Sequence, residues 1–174
     1  SIVIHPNDEN TLWVAAYGPL WSSGGERGVY KSTDGGNTWK RTLEISEHTG
    51  IAEVHIDPSN PKILYASAHQ RRRREWTFIS GGPESGVYKS IDGGETWREI
   101  NKGLPAGYMG RVGMAVSPVD PNVVYAIVEA RYGKNGFYKS TNKGENWSKQ
   151  SDYSTSGNYY QEIFCDPVDV DKVF

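Results

Sequence analysis

Gly86-Val87-Tyr88-Lys89-Ser90-Ile91-Asp92-Gly93-Gly94-Glu95-Thr96-Trp97 lies near the middle of a 174-residue chain, and the chain contains it three times. Upstream it reads Gly28-Val29-Tyr30-Lys31-Ser32-Thr33-Asp34-Gly35-Gly36-Asn37-Thr38-Trp39. Downstream it reads Gly136-Phe137-Tyr138-Lys139-Ser140-Thr141-Asn142-Lys143-Gly144-Glu145-Asn146-Trp147. Recurrence at about 50 to 60 residues points to a repeat architecture, in which each unit buries its apolar surface against its neighbours. A second element recurs between the copies: His5-Pro6, Asp57-Pro58, Ser117-Pro118 and Asp166-Pro167 each precede a short apolar run. Taking the middle unit, four strands are predicted over 51–56, 63–68, 86–90 and 96–100. A Pro-rich turn joins the first pair and a Gly-rich turn the second. Four antiparallel strands repeated in this way predict an all-β chain built from β-propeller blades.

Composition agrees. Twenty Gly, 9 Pro, 6 Trp and 11 Tyr accompany an apolar content of only 36%, which suits short strands joined by many turns. No stretch sustains helical periodicity. The formal charge of −2 argues against bulk electrostatic binding to nucleic acid. The apolar runs are too short for a helix that inserts into a bilayer. One cysteine, Cys165, leaves no intrachain disulfide framework.

The segment Ser-x-Asp-x-Gly-x-Thr-Trp resembles the Asp-box, or bacterial neuraminidase repeat. That repeat is found in sialidases, xyloglucanase-type glycosidases and sortilin-type receptors. Residues 76–90 together with Gly103-Leu104-Pro105 and Gly110-Arg111-Val112-Gly113 are similar to a group of bacterial sortilin-like repeat proteins often labelled glycosyl hydrolases. The resemblance implies structural duty for Ser32, Asp34, Gly36 and Trp39, for Ser90, Asp92, Gly94 and Trp97, and for Asn142, Gly144 and Trp147. The carboxylates accept bonds across a tight turn, the glycines allow positive φ, and the tryptophans are expected to bury as packing anchors. The third copy departs from the pattern at Asn142, Lys143 and Asn146, so its hairpin is expected to be kept at lower stability.

The repeats divide the chain into an incomplete blade over 1–43, blades over 51–100 and 110–149, and the first strands of a further blade over 160–174. Because open blades leave unpaired edges, the chain reads as a segment whose first partner is the remainder of a longer parent protein. Propeller topology puts the repeated turns on one face. The other face carries the divergent loops 18–27, 69–85 and 130–135, with 44–50, 101–110 and 150–159. Of nine Asp residues only Asp152 falls on that second face, and Glu26, Glu47, Glu75, Glu84 and Glu129 form no pair recognisable from sequence. A glycosidase needs two carboxylates flanking one bond, so no catalytic residue is assigned.

What the loop face does offer is Arg71-Arg72-Arg73-Arg74-Glu75-Trp76. Guanidinium groups beside an indole can hold a carboxylate, a sulfate or an acidic peptide end, and a solvated charge run is the plainer alternative. Arg72, Arg73, Trp76, Trp21 and Tyr108 are the candidate ligand contacts, with Tyr17, Tyr153, Tyr159 and Tyr160 adding aromatic surface. Arg111, opening a first strand near the axis, is expected to form a salt bridge there. His5, His48, His55 and His69 show no zinc spacing and no calcium loop appears, so neither metal nor cofactor is expected. Three functions stay open: a non-catalytic module recognising a glycan, protein or peptide, a segment of a xyloglucanase-like or sialidase-like glycosidase, and purely architectural blades. The resemblance implies an extracellular, periplasmic or cell-surface setting.

Overall fold

A computed structural model describes residues 1–155 and 160–174, and among these there is no helix. Thirteen strands form three sheets. The first contains β1 (Ile2–His5), β2 (Asp8–Tyr17), β3 (Arg27–Ser32) and β4 (Lys40–Leu43). The second contains β5 (Thr49–Asp57), β6 (Asn60–Arg74), β7 (Thr77–Ser80), β8 (Gly86–Ser90) and β9 (Arg98–Glu99). The third contains β10 (Met109–Val116), β11 (Val124–Ala130), β12 (Gly136–Ser140) and β13 (Ser148–Ser151). Each sheet is an antiparallel meander in chain order, with β7 as an extra strand on β6. Near the C-terminus Phe164 and Phe174 exchange backbone hydrogen bonds of 2.9 Å around a Cys165–Val173 bridge.

The core lies between sheets, not within them. Along β6 the run Leu64–His69 is buried on both faces. Leu64, Ala66 and Ala68 pack with Trp13, Val29 and Leu43 of the first sheet. Tyr65, from the opposite face, packs with Val112, Met114 and Val124 of the third. A strand sandwiched between two neighbours loses the apolar/polar alternation of a one-sided sheet, which is why β6 and β11 read as continuous apolar runs. This face-to-face stacking of four-stranded sheets is the all-β propeller arrangement.

The repeated turns are built from local side-chain bonds. The Ser32 hydroxyl donates to Asp34 Oδ1 (2.7 Å) and accepts from Gly36 N (2.9 Å). Asp34 then accepts from Thr38 N (2.8 Å) and Thr38 Oγ1 (2.6 Å). Ser90, Asp92, Gly94 and Thr96 repeat the set. The Thr hydroxyl and backbone bonds hold both carboxyls down at about 2. In the third turn Asn142 keeps the Oδ1 bonds from Ser140 Oγ (2.9 Å) and Asn146 N (3.0 Å). An amide oxygen supplies the same acceptor without the charge.

The turn also joins one sheet to the next. Gly94 and Gly144, at φ of 79° and 80°, take the backbone within reach of the preceding sheet, where an added Cβ would meet Trp13 and Ile100 at 2.6 Å. Trp13 Nε1 donates to Gly93 O (3.1 Å), and Tyr65 Oη to Lys143 O (3.4 Å). Lys31 and Lys89 lie over those two rings and reach forward to Glu95 (2.7 Å) and Glu145 (2.8 Å). Lys40 and Arg98 add a second cation to each carboxylate. Lys139 lies over Tyr125 in the same way and reaches Asp171 (2.7 Å).

The burial expected of the three box tryptophans is graded. Trp147 is buried and donates to Ile100 O (2.8 Å). Trp97 is half-buried and donates to Thr42 Oγ1 and Gly94 O. Trp39 is 42% exposed: each of the other two rings packs on the preceding sheet, and no described sheet stands in that place beside Trp39. The third turn carries a long-range pair of its own. Lys143 takes φ of 57° where the other copies have Gly35 and Gly93, and its Nζ pairs with fully buried Asp57 at 2.8 Å.

Candidate ligand-binding face

The span 69–85, read from sequence as a loop, is a β-ribbon. Strand β6 continues past the sheet, pairs Arg71–Arg74 with Ser80–Thr77 of β7, and turns at Glu75-Trp76. Four consecutive arginines hide the alternation that marks a strand, because both faces carry the same side chain. Strand geometry then separates neighbours. Arg71 and Arg73 share one face with His69, Phe78 and Ser80, while Arg72 and Arg74 share the other with Ile79.

The first ribbon face rests on the first sheet. Arg73 N donates to Leu20 O (3.0 Å). The Arg71 guanidinium stacks 3.5 Å from the Tyr17 ring centroid, and that of Arg73 lies 4.6 Å from Phe78 and 6.0 Å from Trp21. Tyr17 ends β2, and the loop that follows it and carries Trp21 is gathered by one side chain. Buried Arg27 donates to the carbonyls of Tyr17 (2.8 Å), Pro19 (2.6 Å), Ser22 (3.0 Å) and Gly24 (3.0 Å). Five fixed donors on one planar group can gather a loop that has no regular structure of its own.

Behind the ribbon a hydrogen-bonded chain crosses all three sheets. Tyr17 Oη meets His69 Nδ1, His69 Nε2 meets Ser80 Oγ (3.4 Å), and Ser80 Oγ donates to Glu129 Oε2 (3.2 Å). With Ser80 donating to a carboxylate, the consistent arrangement has His69 Nε2–H donating to Ser80 and Nδ1 accepting from Tyr17. Burial, then the charges of Arg71 and Arg111, push the His69 imidazole down to about 3, so it is neutral. Burial likewise raises Tyr17. Nothing in the sequence pattern marked His69 as part of a network; its register opposite the sheet ends becomes visible only once β6 is extended.

The five contacts read from sequence fall in two places. Trp21 (62% exposed) stands with Arg73, and Trp76 (79% exposed) lies in the ribbon turn. Arg72 lies on the opposite ribbon face from Arg73. Tyr108 is in another loop, 5.1 Å from the Arg131 guanidinium, beside a cavity of about 150 Å³ lined also by Tyr132 and Lys134. Tyr153 and Tyr160 are exposed, and Tyr159 lies outside the described residues. Arg111 does pair with a carboxylate, Glu53 at 3.3 Å, on the adjacent inner strand.

Most carboxylates near the ribbon base are occupied, Glu75 at its turn being the exception. Glu84 accepts from Ser46 Oγ (2.6 Å) and Thr49 Oγ1. Glu129 accepts from Ser80 Oγ and Arg111 N. Glu53, which the sequence reading passed over, accepts from Arg111 and from Met114 N (3.1 Å). Asp152 is exposed and pairs with Lys149. Among the described residues no three His, Cys, Asp or Glu side chains gather into a metal-binding group.

Comparison with known proteins adds the following. The model of the Sortilin-Vps10 family, described as sortilin, neurotensin receptor 3, matches residues 27–173. Xyloglucanase Xgh74A of Acetivibrio thermocellus is 28% identical over 143 residues, covering 76% of this chain and 16% of its own length. A xyloglucanase of Hypocrea jecorina is 33% identical over 115 residues, covering 63% of this chain and 13% of its own. Among solved structures, the GH74 xyloglucanase from Xanthomonas campestris superposes with a TM-score of 0.70 at 16% identity, covering 99% of this chain and 26% of that one. The GH74 enzyme of Niastella koreensis gives 0.65 at 22% identity, over 95% and 26%. The chain thus spans less than a fifth of the length of these curated relatives, and the solved structures add the fold alone.

Proposed function

Because the chain belongs to the Sortilin-Vps10 family, and its curated relatives are xyloglucanases, we propose that it supplies a glycan-holding face to a xyloglucanase-like propeller. In that role it works with the remaining blades of a longer protein and binds without cleaving. The observation that carries the reading is the identity of 28% and 33% to two xyloglucanases over most of the chain. The loop face supports it chemically. Trp76 presents flat apolar surface at the ribbon turn and Trp21 on the loop that Arg27 anchors, and Tyr108 and Tyr132 present more beside the cavity of about 150 Å³. Exposed aromatic planes of this kind suit the apolar faces of sugar rings.

The non-catalytic part rests on the acids. Glycoside cleavage uses one protonated and one ionised carboxyl facing the same bond, and Glu53, Glu84 and Glu129 each accept two or more internal bonds. A polysaccharide is too large and polar to cross a membrane unaided, so the same reading sets the protein outside the cell, in the periplasm or at the cell surface.

The test is calorimetric titration of the chain with a neutral xyloglucan oligosaccharide, alongside an assay for new reducing ends. Binding without reducing-end release, weakened in Trp21→Ala/Trp76→Ala, is the expected result. Release by this chain would overturn the non-catalytic assignment, and absence of any glycan binding would leave the blades architectural.

A further inference from the structure

The ribbon carries four positive charges that nothing in the protein neutralises. Arg71, Arg72, Arg73 and Arg74 have no ion pair or hydrogen-bond acceptor for their guanidinium groups among the described residues. Their position makes this unusual. Arg71 is half-buried, its Nε is shut away from solvent with no acceptor, and its plane is fixed 3.5 Å from the Tyr17 ring. Its terminal nitrogens, by contrast, still reach solvent. Arg72 has its Nε enclosed in the same way. The excess field is felt next door: after burial, the charges of Arg71 and Arg72 are what lower the pKa of Arg27. The nearby acids do not answer it: Glu84 is held by Ser46 and Thr49, Glu129 by Ser80 and the Arg111 amide, and exposed Glu75 at the ribbon turn pairs with none of the four.

A guanidinium that is ordered, partly desolvated and lacking an acceptor is prepared for an oxyanion, and a planar carboxylate matches its fork. Arg71 is such a group; Arg73, half-exposed and likewise without an acceptor, shares its ribbon face, two residues or about 6.6 Å further along the strand. Trp21, 62% exposed, lies 6.0 Å from the Arg73 guanidinium on that face. An open indole beside an unpaired guanidinium offers one surface to the apolar face of a pyranose and the other to a carboxylate on the same ring.

Resting on the glycan-holding reading and narrowing it, we propose that Arg71 and Arg73 with Trp21 bind the carboxylate of a uronic acid residue, so that the ligand of this face is an acidic glycan. A neutral chain would leave both charges unanswered. A glycan bearing uronates on neighbouring sugars answers them in succession along the strand.

The experiment titrates three probes into the chain: trigalacturonate, a neutral xyloglucan oligosaccharide and polyglutamate. Trigalacturonate is expected to bind in preference to the other two, to weaken as salt is raised, and to lose at least about tenfold in affinity in Arg71→Gln/Arg73→Gln, the share of a charge-assisted pair. Arg71→Lys/Arg73→Lys keeps the charge and the stacking stem but loses the fork; an intermediate loss there separates recognition from misfolding. Preference for the neutral oligosaccharide would overturn the acidic-ligand assignment while leaving the glycan-holding reading in place. Absence of binding to either sugar would overturn both. Polyglutamate binding as tightly as trigalacturonate would overturn the saccharide, and undiminished binding in the Gln variant would overturn the site.

Discussion

Replacing Lys143 with glycine restores the residue that the other two turns use, and it is expected to destabilise the protein. Two effects oppose each other. A lysine at φ of 57° carries a left-handed backbone cost of about 1–2 kcal/mol, which glycine removes. Glycine's greater freedom in the unfolded chain returns about 0.5–1 kcal/mol of that. Against the small remainder stands the Asp57 carboxylate, fully buried, whose Oδ2 is paired with Lys143 Nζ at 2.8 Å. Burial acts to raise the pKa of Asp57, but the bonds from Lys143 and Ser59 outweigh it and keep it below the ordinary value. Removing one partner of an enclosed ion pair costs about 3–5 kcal/mol. Lys143 is 27% exposed, and Oδ1 keeps its bonds from Ser59 and Asn60, so the lower end applies. The expected net effect is about 2 kcal/mol of destabilisation.

Urea unfolding of the chain reads this directly as a lower midpoint at pH 7. The sign of its pH dependence is fixed too. A lowered carboxyl contributes stability that is present above its unfolded value, near 3.8, and is lost as pH falls through its folded value. The gap between wild type and Lys143→Gly should therefore narrow from pH 5 towards pH 3. In a double-mutant cycle, Asp57→Asn should abolish most of the cost of Lys143→Gly, because no buried charge is then left behind. A neutral or stabilising Lys143→Gly would falsify the reasoning and leave Lys143 a tolerated defect.

Three further outcomes follow from the contacts between sheets. Glu145→Gln strips the carboxylate from Lys89, whose side chain is 5% exposed, and Glu95→Gln strips it from Lys31, 13% exposed; each should cost about 1–2 kcal/mol in the same unfolding assay, with Glu145→Gln the larger. Trp147→Ala should cost about 3–5 kcal/mol, and Trp39→Ala, at a ring 42% exposed, clearly less; equal losses by thermal denaturation would contradict the packing of each ring on the preceding sheet. Acid should destabilise the chain in two windows. The unfolded chain protonates His69 from near pH 6.5 while the folded imidazole resists to about 3, and Asp34 and Asp92 release their turns between about pH 4 and 2. His69→Gln should flatten the first window alone.

How much of this could be read in advance depended on the range of the interactions. The Ser32-Asp34-Gly36-Thr38 turn is a local object: every bond spans two to four residues, so its residues announce it and its repetition announces the blade. The cross-sheet contacts have no such signature. Lys31 meets Glu95, and Lys89 meets Glu145, across more than fifty positions, and only stacking brings them together. Lys143 shows the limit most plainly. In the aligned repeats it is a fault, a bulky residue where glycine belongs, and a lower stability followed from that comparison. Its actual partner, Asp57, belongs to a different repeat and to a turn that is regular by itself.

The same distinction governs the ligand face. Departures from the repeat cluster there, and sequence divergence could mark 69–85 without showing its form, since Arg71–Arg74 carry neither turn residues nor apolar alternation. Once the span is a strand, its alternation decides which side chains can act together: Arg73 with Arg71 and Trp21, and not with Arg72. The unpaired guanidiniums then acquire a meaning they lack in the linear chain. A charge run on a solvated loop is satisfied by water, whereas one in which the Nε atoms of Arg71 and Arg72 are enclosed without acceptors keeps part of its desolvation cost uncompensated until an anion arrives.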